Sequence, residues 1–541
     1  MKKQSFLHAS LLLTCSALFA KICGALFKLP LTALLGGTGM GYFSCAYGLF
    51  LPLYAILVTG LSTAVARPVA DFAGQKKFAC ALKIRHVARI LCFIMGLVGT
   101  GFAILFAKYF TLKTSGNLEA YPAVLAITPA VLLCCVTAVE RGYYEGLCCM
   151  TPTAVSQALE AVAKLFCGLC FCKLFLNTPV LKNYSQESMG ALGAVLGVTI
   201  STLAGYLCMV IKNILHKQEN ITSHEPTPSS KKILKILIKI MIPSALGALV
   251  TNLTSLIDLL TVMRCFQNML ANNITLFYQK ACLSQEIPVQ EASAFVYGSF
   301  MGLSITVFNL VPSLTNMLAK GVLPCTAQAW ASGNDKLASY YARQVLLLTG
   351  LIAIPASCGI FALAKPILNF LFSGRDSEIA VASSGLQWLA PALLFLCLTF
   401  PVFSLLQAIG KEDLPVKIML SGIIIKLACN LILIPKFCTA GASISTSLCY
   451  AVIFILAIIC LKKQFHQPLL IIKPFLFQIW GGILCAGSAW VCYDRLSVHI
   501  HEKIAFILAI LCAVIIYLLV LFLTSQKELY QLIKPKSMAF K

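Results

Sequence analysis

Hydrophobic residues run along this chain in long unbroken blocks. They do not follow the spacing of two that marks a half-buried strand, nor the spacing of three to four that marks a soluble amphipathic helix. Fourteen blocks lie near residues 7–27, 42–66, 87–110, 121–140, 152–176, 189–211, 236–262, 294–316, 339–362, 380–408, 415–435, 440–461, 470–492 and 501–524. About 20 apolar residues in helix cross the hydrocarbon core of a bilayer. Lipid offers no partner for an unpaired backbone amide, so each block is expected as a helix. The ten-residue alternating segments of a membrane β-barrel are absent. The pattern therefore predicts an all-α polytopic membrane protein with fourteen transmembrane helices. The first block follows Lys2 and Lys3 but is too long for a leader and lacks a small-residue cleavage site, so it is expected to stay as the first helix.

Composition agrees. Of 541 residues, 59% are hydrophobic and 11% charged, and the mean hydropathy is +0.89. Soluble domains carry about 25% charged residues, so a soluble enzyme, a disordered chain and a disulfide-stapled secreted domain are all excluded. The net charge of +23 would suggest a polyanionic partner in a soluble protein. Its distribution changes that picture. If the N-terminus is cytoplasmic, 27 of the 42 Lys and Arg residues fall on the cytoplasmic side and 11 on the other, the bias that sets membrane orientation. Both termini are then expected in the cytoplasm, and no nucleic acid is needed. The 25 cysteines sit largely inside the blocks, where Cys behaves as a small hydrophobe. No HExxH, GxGxxG or Walker-type loop occurs, so neither a metal, a cofactor nor a catalytic residue is expected.

The chain also resembles itself. Pro129, Gly146, Pro152 and Lys164 recur as Pro391, Gly410, Pro415 and Lys426, at offsets of 262, 264, 263 and 262. Tyr47-Gly48-Leu49-Phe50 has a weaker echo in Tyr297-Gly298-Ser299-Phe300. The repeat unit spans six blocks, an even number, so two parallel lobes are expected about an axis along the membrane normal. The predicted organisation is an N-terminal lobe over 1–215, a cytoplasmic linker over 216–235, a C-terminal lobe over 236–463, and two further helices with a cytoplasmic tail over 464–541. Two such lobes would enclose a cavity open to one side at a time.

Four lysines are assigned to the predicted helices and not to the two sides of the membrane: Lys21, Lys28, Lys164 and Lys426. A charge at the centre of a membrane helix costs about 2.5–3.5 kcal/mol on insertion scales, so it usually faces a cavity or a partner. Lys21 and Lys28 are two turns apart on one face, a spacing suited to phosphate, although Lys28 could equally snorkel to the headgroups. Glu160 and Lys164 stand at i and i+4 in the order that favours an ion pair. Such a pair is either structural or a gate opened when an anionic headgroup competes for Lys164. Lys426 and Asn430 repeat that spacing. Asp258, the only carboxylate of its block, is a candidate for ion coupling or for structural pairing. Arg67 and Arg141 are candidates for a cytoplasmic mouth. The basic segment from Arg67 to Arg89 suits topology and contact with anionic lipids.

Further residues carry a family resemblance. Arg141-Gly142-Tyr143-Tyr144-Glu145-Gly146, continuing through Met150-Thr151-Pro152 to Glu160 and Lys164, resembles the signature of the stage V sporulation protein B family. Lys21-Ile22-Cys23-Gly24, Gly60-Leu61-Ser62 with Arg67, and Leu406-Gln407-Ala408-Ile409-Gly410-Lys411 with Pro415 fit the same family, over the first twelve blocks. Such proteins are similar to MurJ-type lipid II flippases and polysaccharide flippases. The resemblance implies alternating access in a bacterial plasma membrane. It also implies movement of an undecaprenyl-diphosphate-linked saccharide to the outer leaflet, with partners among cell-wall or polysaccharide synthesis proteins. Phe27-Lys28 stands where lipid II flippases tend to carry an Arg-Asp pair, so the implied cargo is an anionic lipid-linked saccharide in general. A cation-coupled multidrug exporter would instead want acidic cavity residues. A membrane glycosyltransferase would rely on the weak set Arg264, Lys280, Glu286 and Glu291.

Overall fold

The computed structural model describes residues 6–75, 77–147, 149–178, 183–215, 228–283, 287–411, 413–465 and 472–524. Lys2 and Lys3, most of the expected linker, Glu286 and the tail beyond residue 524 lie outside them. The described chain is helical almost throughout. Its elements are α1 (Phe6–Tyr54), α2 (Gly60–Gly74), α3 (Phe78–Ser115), α4 (Tyr121–Gly146), α5 (Thr151–Asn177), α6 (Gln186–Leu215), α7 (Ser230–Asn272) and α8 (Ile274–Lys280). There follow α9 (Val289–Ser299), α10 (Ile305–Phe308), α11 (Leu310–Ala331), α12 (Asp335–Leu371), α13 (Asp376–Ala408), α14 (Asp413–Gln464), α15 (Ile472–Ser497) and α16 (Glu502–Thr524).

All fourteen hydrophobic blocks are helical over their described residues, apart from the single residues Asn309 and His501. Ten stretches among the described residues are long and apolar enough to cross a membrane. Two of these, Leu18–Gly74 and Asp413–Gln464, each hold two of the expected blocks. The blocks within α5 and α7 are not among the ten, and both helices carry candidate charges. Inside α1 and α14 the helical path breaks at Gly36 (φ 65°, ψ −173°) and at Cys438 (φ 53°, ψ −123°). Both breaks fall in the short gaps between hydrophobic blocks. The Gly36 conformation is open to glycine and hardly to any other residue. π-Helical turns at Ala55–Thr59 and Phe300–Ser304 interrupt the second and eighth blocks, so the two halves share this irregularity as well as the Pro–Gly–Pro–Lys spacing.

The chain divides into two compact units. The first holds Met1–Leu270 with Ile287–Gly298, and the second holds Ala271–Glu286 with Ser299–Lys541. Nearly all of α7 thus groups with the first unit, whereas the hydrophobic pattern put it at the start of the second lobe. The stretch 264–293, which joins the seventh and eighth hydrophobic blocks, is largely helix over its described residues: α7 runs on to Asn272, α8 follows, and α9 begins at Val289. That removes the open catalytic loop a glycosyltransferase would need.

In the first unit α5 packs along α6 and α1. Their crossing is set by glycine. A Cβ on Gly197 would run into the backbone of Gly168, and a Cβ on Gly168 would meet the Phe27 ring. Three helices therefore close on one point, which fixes where Phe27 stands. Gly197→Leu is expected to destabilise the detergent-solubilised protein by about 1–3 kcal/mol, measured as a lower unfolding temperature. An unchanged temperature would show that the crossing tolerates a side chain.

The second unit has two apolar clusters. In one, Ala342, Leu406, Ile453 and Leu461 join α12, α13 and α14. In the other, Leu363, Ala489, Phe506 and Tyr517 fasten α15 and α16 onto α12. Large apolar side chains such as Leu105, Ile424 and Leu523 stand exposed along the outer helix faces. Such a band is unusual in a soluble monomer and fits a surface wetted by lipid.

Candidate functional site

Of the four lysines assigned to the predicted helices, two come together. Lys164 projects from α5 one turn before Gly168, and its Nζ lies 5.3 Å from the ring centroids of both Phe27 and Tyr47 of α1. Lys28, next to Phe27, is near enough for the two ammonium groups to repel each other. Phe43 stacks beside them, its ring centroid 4.8 Å from Tyr47 and 6.3 Å from Phe27. The result is two cations beside an aromatic wall. An aromatic face attracts an ammonium through its quadrupole but leaves the charge in place. Among the described residues neither lysine is in an ion pair, so both charges remain available to an anion.

The pairing of Glu160 with Lys164 that the spacing predicts is not the one formed. The Glu160 carboxylate instead accepts a hydrogen bond from Arg141 Nη2 across α4 and α5, at 2.7 Å. The same nitrogen donates to Ser156 Oγ at 2.8 Å, and the Ser156 hydroxyl in turn donates to the Gly205 carbonyl at 2.9 Å. The forked guanidinium can serve both acceptors at once, which an ammonium on the neighbouring turn cannot do as well. Arg141, Glu160, Glu145 and Tyr54 line a cavity of about 140 Å³ inside the first unit. Arg141 is half-buried and lines this polar cavity. Arg141→Ala is expected to lower stability by about 1–3 kcal/mol, since it strands the Glu160 carboxylate. Glu160→Gln in the same background should restore part of that loss; no restoration would show that the two groups do not act together.

The remaining candidates are dispersed. Lys21 is exposed on α1, two turns before Lys28, and Arg67 is exposed on α2. Asp258 is half-buried on α7, within electrostatic reach of the buried Tyr297. Lys426 lies in the second unit, where Lys426 and Asn430 are both buried in α14 and Ser445 donates to the Lys426 carbonyl at 3.1 Å.

One cluster was not singled out in the sequence. Glu140, only 2% exposed, is the acceptor at the centre of a network joining α3, α4 and α6. Arg85 grips it through Nη2 and through Nε at 3.1 Å, Arg89 donates from Nε, and Asn213 donates at 2.9 Å. Tyr144 in turn donates to Asn213 at 2.6 Å, and the Arg85 guanidinium lies 4.5 Å from the Tyr143 ring centroid. Arg85 and Arg89 lie in the basic segment from Arg67 to Arg89 that the sequence suits to topology and contact with anionic lipids. Both join the Glu140 network because α3 begins at Phe78, nine residues earlier than the hydrophobic block, with Arg85 buried and Arg89 half-exposed at its edge. The visible signal was Glu140, a carboxylate closing an apolar run.

Comparison with known proteins places this architecture. A protein-family model described as MatE matches residues 299–432. The Lipid II flippase MurJ of Bacillus subtilis (strain 168) is 24% identical over 503 residues, which cover 88% of this chain and 87% of that protein. Stage V sporulation protein B of the same organism is 21% identical over 440 residues, 79% of this chain and 77% of that protein. A solved structure, Lipid II flippase MurJ in an inward closed conformation, superposes with a TM-score of 0.65 at 14% identity, over 96% of this chain and 100% of its own. The fold is the one that this MurJ structure has, and the chain is a multi-pass membrane protein. Along most of its length the chain is similar in sequence to MurJ and to stage V sporulation protein B.

Proposed function

We propose that this chain is a flippase that carries an undecaprenyl-diphosphate-linked saccharide, lipid II or a polysaccharide precursor, from the inner to the outer leaflet. It would serve cell-wall, spore-cortex or polysaccharide synthesis. The observation that carries this reading is the pair Lys28 and Lys164, two ammonium groups held beside Phe27 and Tyr47 within the membrane lobe. A diphosphate has the charge and size to relieve the repulsion between them, and Lys binds phosphate as a compact point charge. The saccharide would ride in the water-filled cavity of an alternating-access cycle, and the polyprenyl tail would stay in lipid. With both termini cytoplasmic, an inside-negative potential would help retract the unloaded lysines, at about 2.3 kcal/mol per charge per 100 mV.

The match of a MatE model to residues 299–432 favours a second reading, a cation-coupled multidrug exporter. That reading wants buried carboxylates to meet cationic drugs, whereas the paired charges of the first unit are lysines. Reconstitution into liposomes separates the two. The flippase should bring a lipid-linked disaccharide-pentapeptide, or a polysaccharide precursor, to the far leaflet within minutes. Failure with both cargoes, together with extrusion of a cationic dye, would establish the exporter instead.

A further inference from the structure

The second unit holds a pocket that the flippase reading does not use. It opens where the turn between α12 and α13 meets the turn between α15 and α16, and it encloses about 470 Å³. That size lies within the range of small-molecule sites. Its floor is aromatic. Phe370 of α12 and Phe506 of α16 face each other with ring centroids 5.0 Å apart, and Tyr493 of α15 completes the wall. Phe506 and Tyr493 belong to the apolar cluster that fastens α15 and α16 to α12, so this part of the floor is built before any ligand arrives. The rim is polar: Asn369, Ser373 and Asp376 on one side, His501, Glu502 and Lys503 on the other. His501 Nδ1 also accepts the Lys503 amide at 3.3 Å, which holds this rim against the start of α16.

The chemistry of the lining narrows what can bind. Carboxylates and an ammonium share the rim, so neither a permanent cation nor a permanent anion finds a surface of one sign. Among the described residues no group of three His, Cys, Asp or Glu side chains is placed to hold a metal ion. An acyl chain would leave the polar rim without partners. A sugar ring fits both halves, with one face of C–H groups to lie on aromatic rings and an edge of hydroxyls to meet amide, hydroxyl and carboxylate groups.

We propose that this pocket is a saccharide-binding site for one or two sugar rings. Its placement on the outer face rests on the flippase reading, which puts both of these turns on the extracytoplasmic side. There it would hold the sugar portion of released cargo, or of the polymer made from it, apart from the lysine pair.

Titration of the full chain in lipid nanodiscs with a soluble β-1,4-linked N-acetylhexosamine disaccharide tests the proposal, read by calorimetry or saturation-transfer NMR. The expected result is saturable binding that weakens roughly tenfold in Phe370→Ala, the loss of one stacking face, and comparably in Asn369→Ala. Phe370 is exposed and Asn369 half-buried, so neither replacement empties the core. The absence of saturable binding, binding unchanged in both variants, or preference for a trimethylammonium probe would each overturn it. Liposome transport separates this outcome from the parent reading. Cargo movement without disaccharide binding removes the pocket alone, and disaccharide binding without cargo movement removes the flippase alone.

Discussion

Replacing Lys164 by Gln is expected to slow movement of a lipid-linked diphosphate by about ten- to a hundredfold, the worth of one charge-assisted hydrogen bond to phosphate. Lys28→Gln should act in the same direction, and the double replacement should reduce transport to the level of empty liposomes. Gln keeps most of the length and hydrogen-bonding ability of Lys, so the loss would report charge. The two effects should not add as independent terms, because each lysine raises the cost of holding the other and a shared diphosphate relieves both. Lys164→Arg offers a useful contrast. It keeps the charge beside Phe27 and Tyr47, since guanidinium also lies well on aromatic faces, and should retain much of the rate. The measurement is the initial rate of cargo appearance at the outer leaflet. Full activity in the double variant would remove these lysines from the mechanism.

The second large effect concerns stability. Glu140→Ala leaves Arg85 buried without its carboxylate and strips Arg89 and Asn213 of their shared acceptor. Breaking a buried pair from one side costs about 3–5 kcal/mol, because the surviving charge keeps its desolvation penalty. The expected outcome is a steep fall in the unfolding temperature of the purified protein and poor recovery from the membrane. Joint replacement of Glu140 by Leu and Arg85 by Met should recover much of that loss, since a packed apolar pair can stand in for a buried ionic one. If Glu140→Ala unfolds at the parent temperature, the network does not hold α3, α4 and α6 together.

Much of this was legible in the sequence, and the reason is energetic. A charged side chain inside an apolar run is costly, so Lys28 and Lys164 stand out against their surroundings, and the structure brings these two together. The gaps between hydrophobic blocks also marked the bends at Gly36 and Cys438, because a chain that turns between spans needs few apolar residues there. Pairing across helices was less visible. The i, i+4 spacing of Glu160 and Lys164 is local information, whereas Arg141 reaches Glu160 from a different helix with better geometry. Arg85 and Arg89 misled for a related reason. Basic residues beyond the end of a hydrophobic block look solvated until the helix is seen to continue through them and present them to Glu140. Lys21 and Lys28 share a face by periodicity, yet Lys21 lies at the exposed surface and only Lys28 reaches Lys164. The pocket between the ends of α12, α13, α15 and α16 was not visible at all, because its lining comes from helix ends that are in part more than a hundred residues apart, and its aromatic members look like ordinary span residues.

The most direct measurement is binding of undecaprenyl diphosphate to the purified chain in nanodiscs, compared between the parent and the Lys28→Gln, Lys164→Gln double variant. A change in stability is controlled by confirming that both proteins unfold at the same temperature. A diphosphate site built on these two lysines predicts saturable binding to the parent and loss of about a hundredfold in affinity in the double variant, as two charge-assisted contacts disappear. Equal affinity in the two proteins, with both folded, would contradict it.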